Sequence, residues 1–432
     1  MPVFRIDELN KKDGVVVTIC GWLTTKRVSG GIAFLNVRDG SGEIQCVLNK
    51  SKIGDDSFEK SIKLGLESSL SLTGEVKLNP RSQGSVELEV AKIEIFQAVT
   101  DEYPIGKKEH GTDFLMENRH LWLRSPRQWA IQRIRNQLIL GIFEFFEKEH
   151  FIKIDSPIFT PSACEGTTTL FEVEYVNGSK VYLSQSGQLY LEAAIASFGR
   201  VFDFGPTFRA EKSKTRRHLT EFWMMDAEMA FVTHFENMEL QEKFILFLLN
   251  RVLDSCESEF KLLERDTAPL KKIKSPFPRL TYNEALDKLH ELGSDIKHGE
   301  DLGNDDETIL TQAFENPIFI EKYPADIKAF YMKRVPQDEK YALCSDLLAP
   351  EGYGEIIGGS QREDDYDTLM KRLVEHNLPV ESFQWYLDLR KFGSVPHSGF
   401  GLGLERLVAW ICSVPHLRET IPFARTLYRV FP

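Results

Sequence analysis

The run RAEKSKTRRH, Arg209 to His218, sets three Arg, two Lys and a His between two alternating segments, FDFGPTF and EFWMMDAEMAF. Alternation with a period of two marks a half-buried strand, and two such strands joined by a short polar loop pair as an antiparallel hairpin. That hairpin places Arg209 and Glu211 at the end of its first strand, with Glu221, Asp226 and Glu228 along its second. The chain of 432 residues has a formal charge of −12, so a dense cationic loop stands out against its own field. Such a loop flanked by carboxylates suits a polyphosphate ligand. Arginine clamps phosphate oxygens with paired donors, while carboxylates take metal ions or amino groups.

Around the hairpin there is no βαβ rhythm and no GxGxxG, which predicts an α+β fold with an antiparallel sheet. The first hundred residues are different. VVVTICGWLTTKR, IAFLNVRDGSGEIQCVL with its Asp39–Gly42 turn, SLSLTGEVKL and SVELEVAKIEIF read as five short strands, with one helix from Asp56 to Leu66. That inventory fits a small closed OB-type barrel over residues 1–99. Residues 100–125 are polar and read as a hinge. Ser125 and Pro126 then open a helix as N-cap and N1, its apolar face made by Ile131, Ile134, Leu138, Ile142 and Phe145. The helix leads into FIKIDSPIF, a strand entering a proline. Strands, a helix near Phe235–Phe260 and a final strand–helix pair complete a second domain, 126–432. Residues 261–340 carry no motif.

The remaining bulk features exclude more than they assign. No apolar run approaches the roughly 20 residues of a membrane span, and the opening MPVFRIDELNKKDG is polar throughout. Six cysteines lie far apart with no CxxC, which argues against a disulfide framework or structural zinc and for a cytoplasmic setting. The first hundred residues carry 13 basic and 13 acidic side chains, so the whole net charge falls on the rest. A nucleic-acid partner would have to use a local patch.

Two further elements could bear chemistry. HSGFGLGLERLVAWI, residues 397–411, is a Gly-rich turn from which Arg406 opens an amphipathic helix. SDLLAPEGYGEIIGGSQRED brings Asp346, Glu355 and Arg362 close to Gly358 and Gly359, which suits Mg²⁺ and an anionic or amide-bearing ligand. Taken together, three stretches resemble the three motifs of class II aminoacyl-tRNA synthetases. The helix ending in FIKIDSPIF, with Pro157, resembles motif 1 (about 126–159). Phe208-Arg209-x-Glu211, the basic loop and Arg217-His218-x-x-Glu221-Phe222 resemble motif 2 (about 202–231). GFGLGLER resembles motif 3 (about 397–412). Behind a barrel-like N-terminal domain, the order matches the aspartate/asparagine/lysine subgroup over nearly the whole chain.

The resemblance implies ATP-dependent joining of an amino acid to tRNA through an aminoacyl-adenylate, with ATP and Mg²⁺ required. Arg209 would grip the α-phosphate and the substrate carboxylate. Glu211 would meet the adenine amino group and Phe222 the ring, with Leu219 beside it. Arg217 and His218 would reach the outer phosphates, and Arg406 the γ-phosphate over the turn Gly403-Leu404-Glu405. Glu355, with Asp346 and the Gly358 backbone, would hold Mg²⁺. In SQSGQLYLEAA, residues 184–194, Leu191 stands where aspartate enzymes of the family carry Lys. Glu192 would accept a bond from an asparagine amide while Arg362 donates to its oxygen, so L-asparagine and tRNA-Asn are the implied substrates. An aspartate-specific or non-discriminating enzyme, and a tRNA-independent asparagine synthetase, are the alternatives. Glu165, Ser186, Gln188 and Asp226 would surround the α-amino group. In the barrel, Phe34 would stack on the central anticodon base, Gln45 would read its edge and Arg27 would meet the backbone. Motif 1 implies a homodimer.

Overall fold

The computed structural model describes residues 2–79, 85–106, 108–161, 164, 169–213 and 215–432. They form two compact units that divide between Gly111 and Thr112, inside the stretch expected as a hinge. In the first unit, strands β1 (Val16–Ser29), β2 (Ile32–Arg38), β3 (Glu43–Asn49), β4 (Ser69–Leu78) and β5 (Val86–Gln97) close a barrel in the order β1-β2-β3-β5-β4. Helix α1 (Asp55–Lys63) lies between β3 and β4 in sequence and buries Phe58. Alternation explains the closure. Val17, Ile19, Leu35, Val37, Leu48, Leu72 and Val90 point inward and are fully buried. Phe34 falls on the other face, half-buried, opposite Arg27 in the β1–β2 register. The Arg27 guanidinium sits 5.0 Å from the Phe34 ring centroid, and Gln45 Nε2 donates to Glu87 at 3.1 Å on the same outer surface. Phe34 is therefore not a core residue.

The second unit is built on an eight-stranded sheet. Helix α2 (Pro126–Lys148) is capped by Ser125, whose hydroxyl accepts from Gln128 N, and it buries the five apolar residues expected of it. After β6 (Ile152–Lys153) come helix α3 (Gln188–Phe198), the hairpin β7 (Arg200–Phe208) and β8 (Glu221–Ala230), and helix α4 (His234–Ser255), held by a Thr233/Glu236 capping box. There follow β9 (Arg279–Thr281), α5 (Asn304–Gln312), β10 (Ile318–Glu321), β11 (Cys344–Ala349), β12 (Gly354–Gln361), α6 (Gln384–Lys391), β13 (His397–Gly403) and α7 (Leu404–Cys412). The sheet order is β9-β10-β11-β12-β13-β8-β7-β6. Its six central strands are antiparallel, but each outermost pair, β9–β10 and β6–β7, is parallel. The antiparallel sheet expected from the sequence is thus found in the six central strands, and the parallel pairs are confined to the edges, where two- and three-residue strands leave too little pattern to set direction.

FIKIDSPIF contributes only Ile152–Lys153 to this sheet. The chain turns out of it as Ser156 N donates to Asp203 Oδ2 at 3.1 Å, one residue before a proline with no N–H to offer. The polar stretch before α2 is no passive linker. Arg119 is 1 % exposed and donates to the carbonyls of Pro422 at 2.7 Å and Ile421 at 2.8 Å, fastening the C-terminal segment to the body of the second unit.

Helices α2 and α4 pack on one face of the sheet around an aromatic cluster. Phe146 is fully buried and stacks on Phe202 of β7 at 4.8 Å between centroids, with Phe244 at 5.0 Å. Phe146→Ala should lower unfolding free energy by about 3–5 kcal/mol, seen as a lower denaturant midpoint with the slope unchanged.

Candidate active site

The opposite face of the sheet is open, and a cavity of about 700 Å³ lies over β8, β11, β12 and β13. The hairpin delivers the first wall. Phe208 pairs with Glu221 at the end of the β7–β8 ladder, so Arg209 leaves the sheet at the cavity rim, and its guanidinium lies 5.4 Å from the Phe222 ring centroid. Glu211, His218, Leu219 and Phe222 line the same wall. His218 Nε2 is 3.2 Å from Glu211 Oε2. Burial depresses the imidazole's pKa despite the opposing pull of Glu211, and Arg406, Arg209 and Arg217 add to the depression.

The facing wall comes from α7 and β12. Arg406 Nη1 donates to the Glu355 carbonyl at 2.9 Å and to its carboxylate at 3.1 Å. Burial pushes the Glu355 carboxyl up, but Arg406, Lys328 and Arg209 together hold it below its ordinary value. Asp346, paired with Gly358 across β11–β12, is raised to about 6 by burial despite Lys328 Nζ at 3.0 Å. A Cβ on Gly358 would come to 3.0 Å from Glu355 Oε1 and 3.6 Å from Asp346 Oδ1. Glycine there keeps open the gap between two carboxylates. No group of three or more His, Cys, Asp or Glu able to hold a metal occurs among the described residues. Two carboxylates with room between them nevertheless suit Mg²⁺, which typically takes one or two protein carboxylates beside phosphate oxygens.

Deeper in, Ser186, Gln188 and Asp226 line the cavity floor. Asp226 Oδ2 accepts from Gly187 N at 2.8 Å and Ser186 Oγ at 3.1 Å, which ties the start of α3 to β8. Arg362 also reaches the floor. Its Nε donates to Glu228 Oε1 at 3.1 Å, its Nη2 bonds the same carboxylate, and its Nη1 donates to Ser360 Oγ at 2.6 Å. A guanidinium carries five N–H donors, so others remain for a ligand. Burial raises the Glu228 carboxyl to about 7 against the pull of Arg362. Gly399 makes this fit possible, since a Cβ there would lie 2.0 Å from Glu228 Oε1. The glycines expected to bring backbone close to a ligand thus serve, at this position, to seat a carboxylate.

Several expected ligand contacts are corrected by the geometry. Leu191 is fully buried against Ile195 and Val201. Glu192 is buried but does not line the cavity. One helical turn beyond Gln188, it is drawn to the positive charge of Arg390, whose Nη2 lies 2.6 Å from Oε2. Arg217 does line the cavity, as expected, and gives three of its five N–H donors to Glu307 at 2.7 Å, Thr308 at 2.5 Å and the Gly352 carbonyl at 2.6 Å. Leu404 is fully buried in the core. Gly403 and Glu405 do line the cavity, and the Glu405 carboxylate reaches Arg135 of α2 at 2.8 Å and Trp223 N at 3.0 Å, so joining α2, α7 and β8. Glu165 lies outside the described residues.

Other residues were not anticipated. Glu307, whose carboxyl burial raises to about 7, joins Asp301, Tyr323, Lys328 and Tyr331 in lining the cavity. All lie in or near the stretch that carried no motif, because its α5 and β10 reach the site through tertiary packing alone. Glu228 did carry a signal: it shares the Asp226 face of β8 by strand alternation.

The family model described as tRNA synthetases class II (D, K and N) matches residues 111–427, and that of the OB-fold nucleic acid binding domain matches residues 17–96. The chain belongs to the class II tRNA synthetases of the D, K and N group. Within that group it is 56 % identical to the asparagine–tRNA ligase of Desulforamulus reducens over 427 residues, covering 99 % of each chain. It is 51 % identical to that of Sorangium cellulosum, covering 100 % of this chain and 99 % of the other. Among solved structures, the Pyrococcus horikoshii asparaginyl-tRNA synthetase complexed with asparaginyl-adenylate superposes with a TM-score of 0.97 at 44 % identity over the full length of both chains. The aspartyl-tRNA synthetase of Entamoeba histolytica has a TM-score of 0.86 at 28 % identity, covering 100 % of this chain and 93 % of the other.

Glu405 gives a test of how this synthetase fold is held together. Glu405→Ala strands Arg135 in a buried position and should cost about 3–5 kcal/mol, read from the denaturant midpoint.

Proposed function

We propose that the chain ligates L-asparagine to tRNA-Asn with ATP, through an asparaginyl-adenylate formed in the cavity of the second unit. The observation that carries the reading is a single cavity with Arg209 and Arg406 on facing walls and an Arg362–Glu228 pair behind its floor. Arg209 and Arg406 neutralise the triphosphate from two sides and hold it straight for attack by the amino acid carboxylate on the α-phosphorus, as the α–β anhydride bond breaks and pyrophosphate leaves. Catalysis is then positioning and charge stabilisation, with no covalent bond to the protein. Phe222 takes the adenine ring and Glu211 its amino group. Glu355 and Asp346 are the residues that would hold Mg²⁺, which supplies further charge neutralisation at the phosphates. Arg217 acts one step back by fixing the basic loop to α5.

Side-chain choice rests on charge. Paired with Glu228, which lies behind it and does not itself line the cavity, Arg362 offers N–H donors to a carbonyl oxygen without a net positive charge to attract a carboxylate. A carboxylate in place of the amide would find the Arg362 charge already compensated, so selection against aspartate rests on Glu228 acting through Arg362. The reading also carries a homodimer through α2 and the segment after it, where Leu140, Phe143, Ile152, Ile158 and Phe159 are exposed, and a cytoplasmic location beside the other components of protein synthesis. No helix among the described residues is long and apolar enough to cross a membrane. The outer face of the barrel, with Phe34, Arg27 and Gln45, takes the anticodon.

ATP–pyrophosphate exchange with each amino acid tests the assignment, and faster exchange with aspartate would reject it. The same assay should show a pH signature. As pH falls from 8 to 6, Glu228 with its pKa near 7 takes up a proton, Arg362 loses its compensating charge, and the asparagine-to-aspartate ratio of kcat/KM should fall; a flat ratio excludes Glu228 from selection. Phe34→Ala should raise the KM for tRNA at least tenfold, the order of one base-stacking contact, with tRNA-independent exchange unchanged.

A further inference from the structure

Glu192 is an ionisable side chain that the mechanism leaves unused, although it is only 3 % exposed. Burying a carboxylate is costly unless it is paired and hydrogen-bonded, and this one is heavily supplied. Its Oε2 accepts from Tyr386 Oη at 2.7 Å and Arg390 Nη2 at 2.6 Å, with His397 Nε2 at 3.0 Å. Burial would raise its carboxyl, but Arg390 and His397 more than reverse that and hold it well below the ordinary carboxylate range. The other oxygen, Oε1, accepts from Gln188 Nε2 at 3.0 Å, one helical turn earlier on α3.

Gln188, unlike Glu192, lines the cavity. Its amide can face either way, and the two ends are opposite in kind: NH₂ donates and the carbonyl oxygen accepts. An ionised carboxylate accepts only, so Glu192 Oε1 can be satisfied by the NH₂ end alone. The reversed amide would set two oxygens against each other in a dry site. We propose that Glu192 is a positioning residue that holds the Gln188 amide in the one orientation presenting its Oε1 to the cavity, as an acceptor for the α-ammonium group of the substrate. Arg390, Tyr386 and His397 anchor the carboxylate from behind, so α6 and β13 contribute to amino acid binding without touching the ligand. The inference rests on the asparagine-activating reading above and adds a division of labour to it. Glu228 and Arg362 read the side chain, while Glu192 acts on the backbone end through Gln188.

The test uses the full-length protein with asparagine and with succinamate, which is asparagine without its α-amino group. Glu192→Gln presents an NH₂ as readily as an oxygen, so Gln188 is free to turn over. The KM for asparagine in ATP–pyrophosphate exchange should rise about tenfold, the size of one hydrogen bond to a charged group, with kcat changed less than twofold. The inhibition constant of succinamate should stay within twofold of wild type, and so should the asparagine-to-aspartate preference. Equal weakening of both ligands would reveal a general distortion and overturn the proposal, and so would no weakening of either. If Glu192→Gln fails to fold, Gln188→Leu leaves the Glu192–Arg390 pair in place and must show the same selective loss of asparagine. Wild-type protein that activates aspartate but not asparagine would instead reject the functional reading itself.

Discussion

Arg362 and Glu228 compensate each other in a place where neither charge could be buried alone. The arrangement depends on several neighbours. Gly399 leaves the space that the Glu228 carboxylate fills, Ser360 takes a further N–H of the guanidinium, and the Arg362 guanidinium lies 5.3 Å from the Tyr331 ring centroid. Breaking a buried pair by removing one partner is far more damaging than never having had the pair, so these five positions stand or fall together. They occupy β8, β12, β13 and the segment before β11. The strand order that brings these elements side by side is therefore a precondition of a charge-neutral pocket floor.

The upper part of the cavity obeys a different electrostatic rule. Arg209 and Arg406 stand on facing walls of it. Carboxylates are kept close by in controlled number: Glu355 is bonded by Arg406, Asp346 by Lys328 and Glu307 by Arg217. Each acid has a named cation, and Arg209, beside Phe222, faces the cavity from the other wall. A protein with a formal charge of −12 thus sets Arg209, Arg217, Arg406 and Lys328 around one cleft.

How much of this could be read from the chain depends on the range of the cause. The hairpin around Arg209 was legible because alternation is a local property, and the same alternation placed Phe34 and Glu228 on definite faces. The capped start of α2 at Ser125 and Pro126 was legible for the same reason. Glu192 shows where such reading ends. Its neighbour Leu191 sits where relatives carry a substrate-binding lysine, so a pocket role seemed natural. Its actual partners, Arg390 and His397, lie about 200 positions away and no spacing rule connects them. Glu307 and Lys328 were invisible for a related reason. They lie on segments without pattern, and only the packing of α5 and β10 against β11 and β12 carries them to the cavity.

The sequence by itself determined the strands, the helix caps and the two-part organisation, since each follows from residue type and short-range periodicity. That Glu192 pairs with Arg390 and Glu228 with Arg362 was decided only by the tertiary structure. A buried charge goes where its counter-charges are, and those counter-charges arrive from strands and helices remote in the chain.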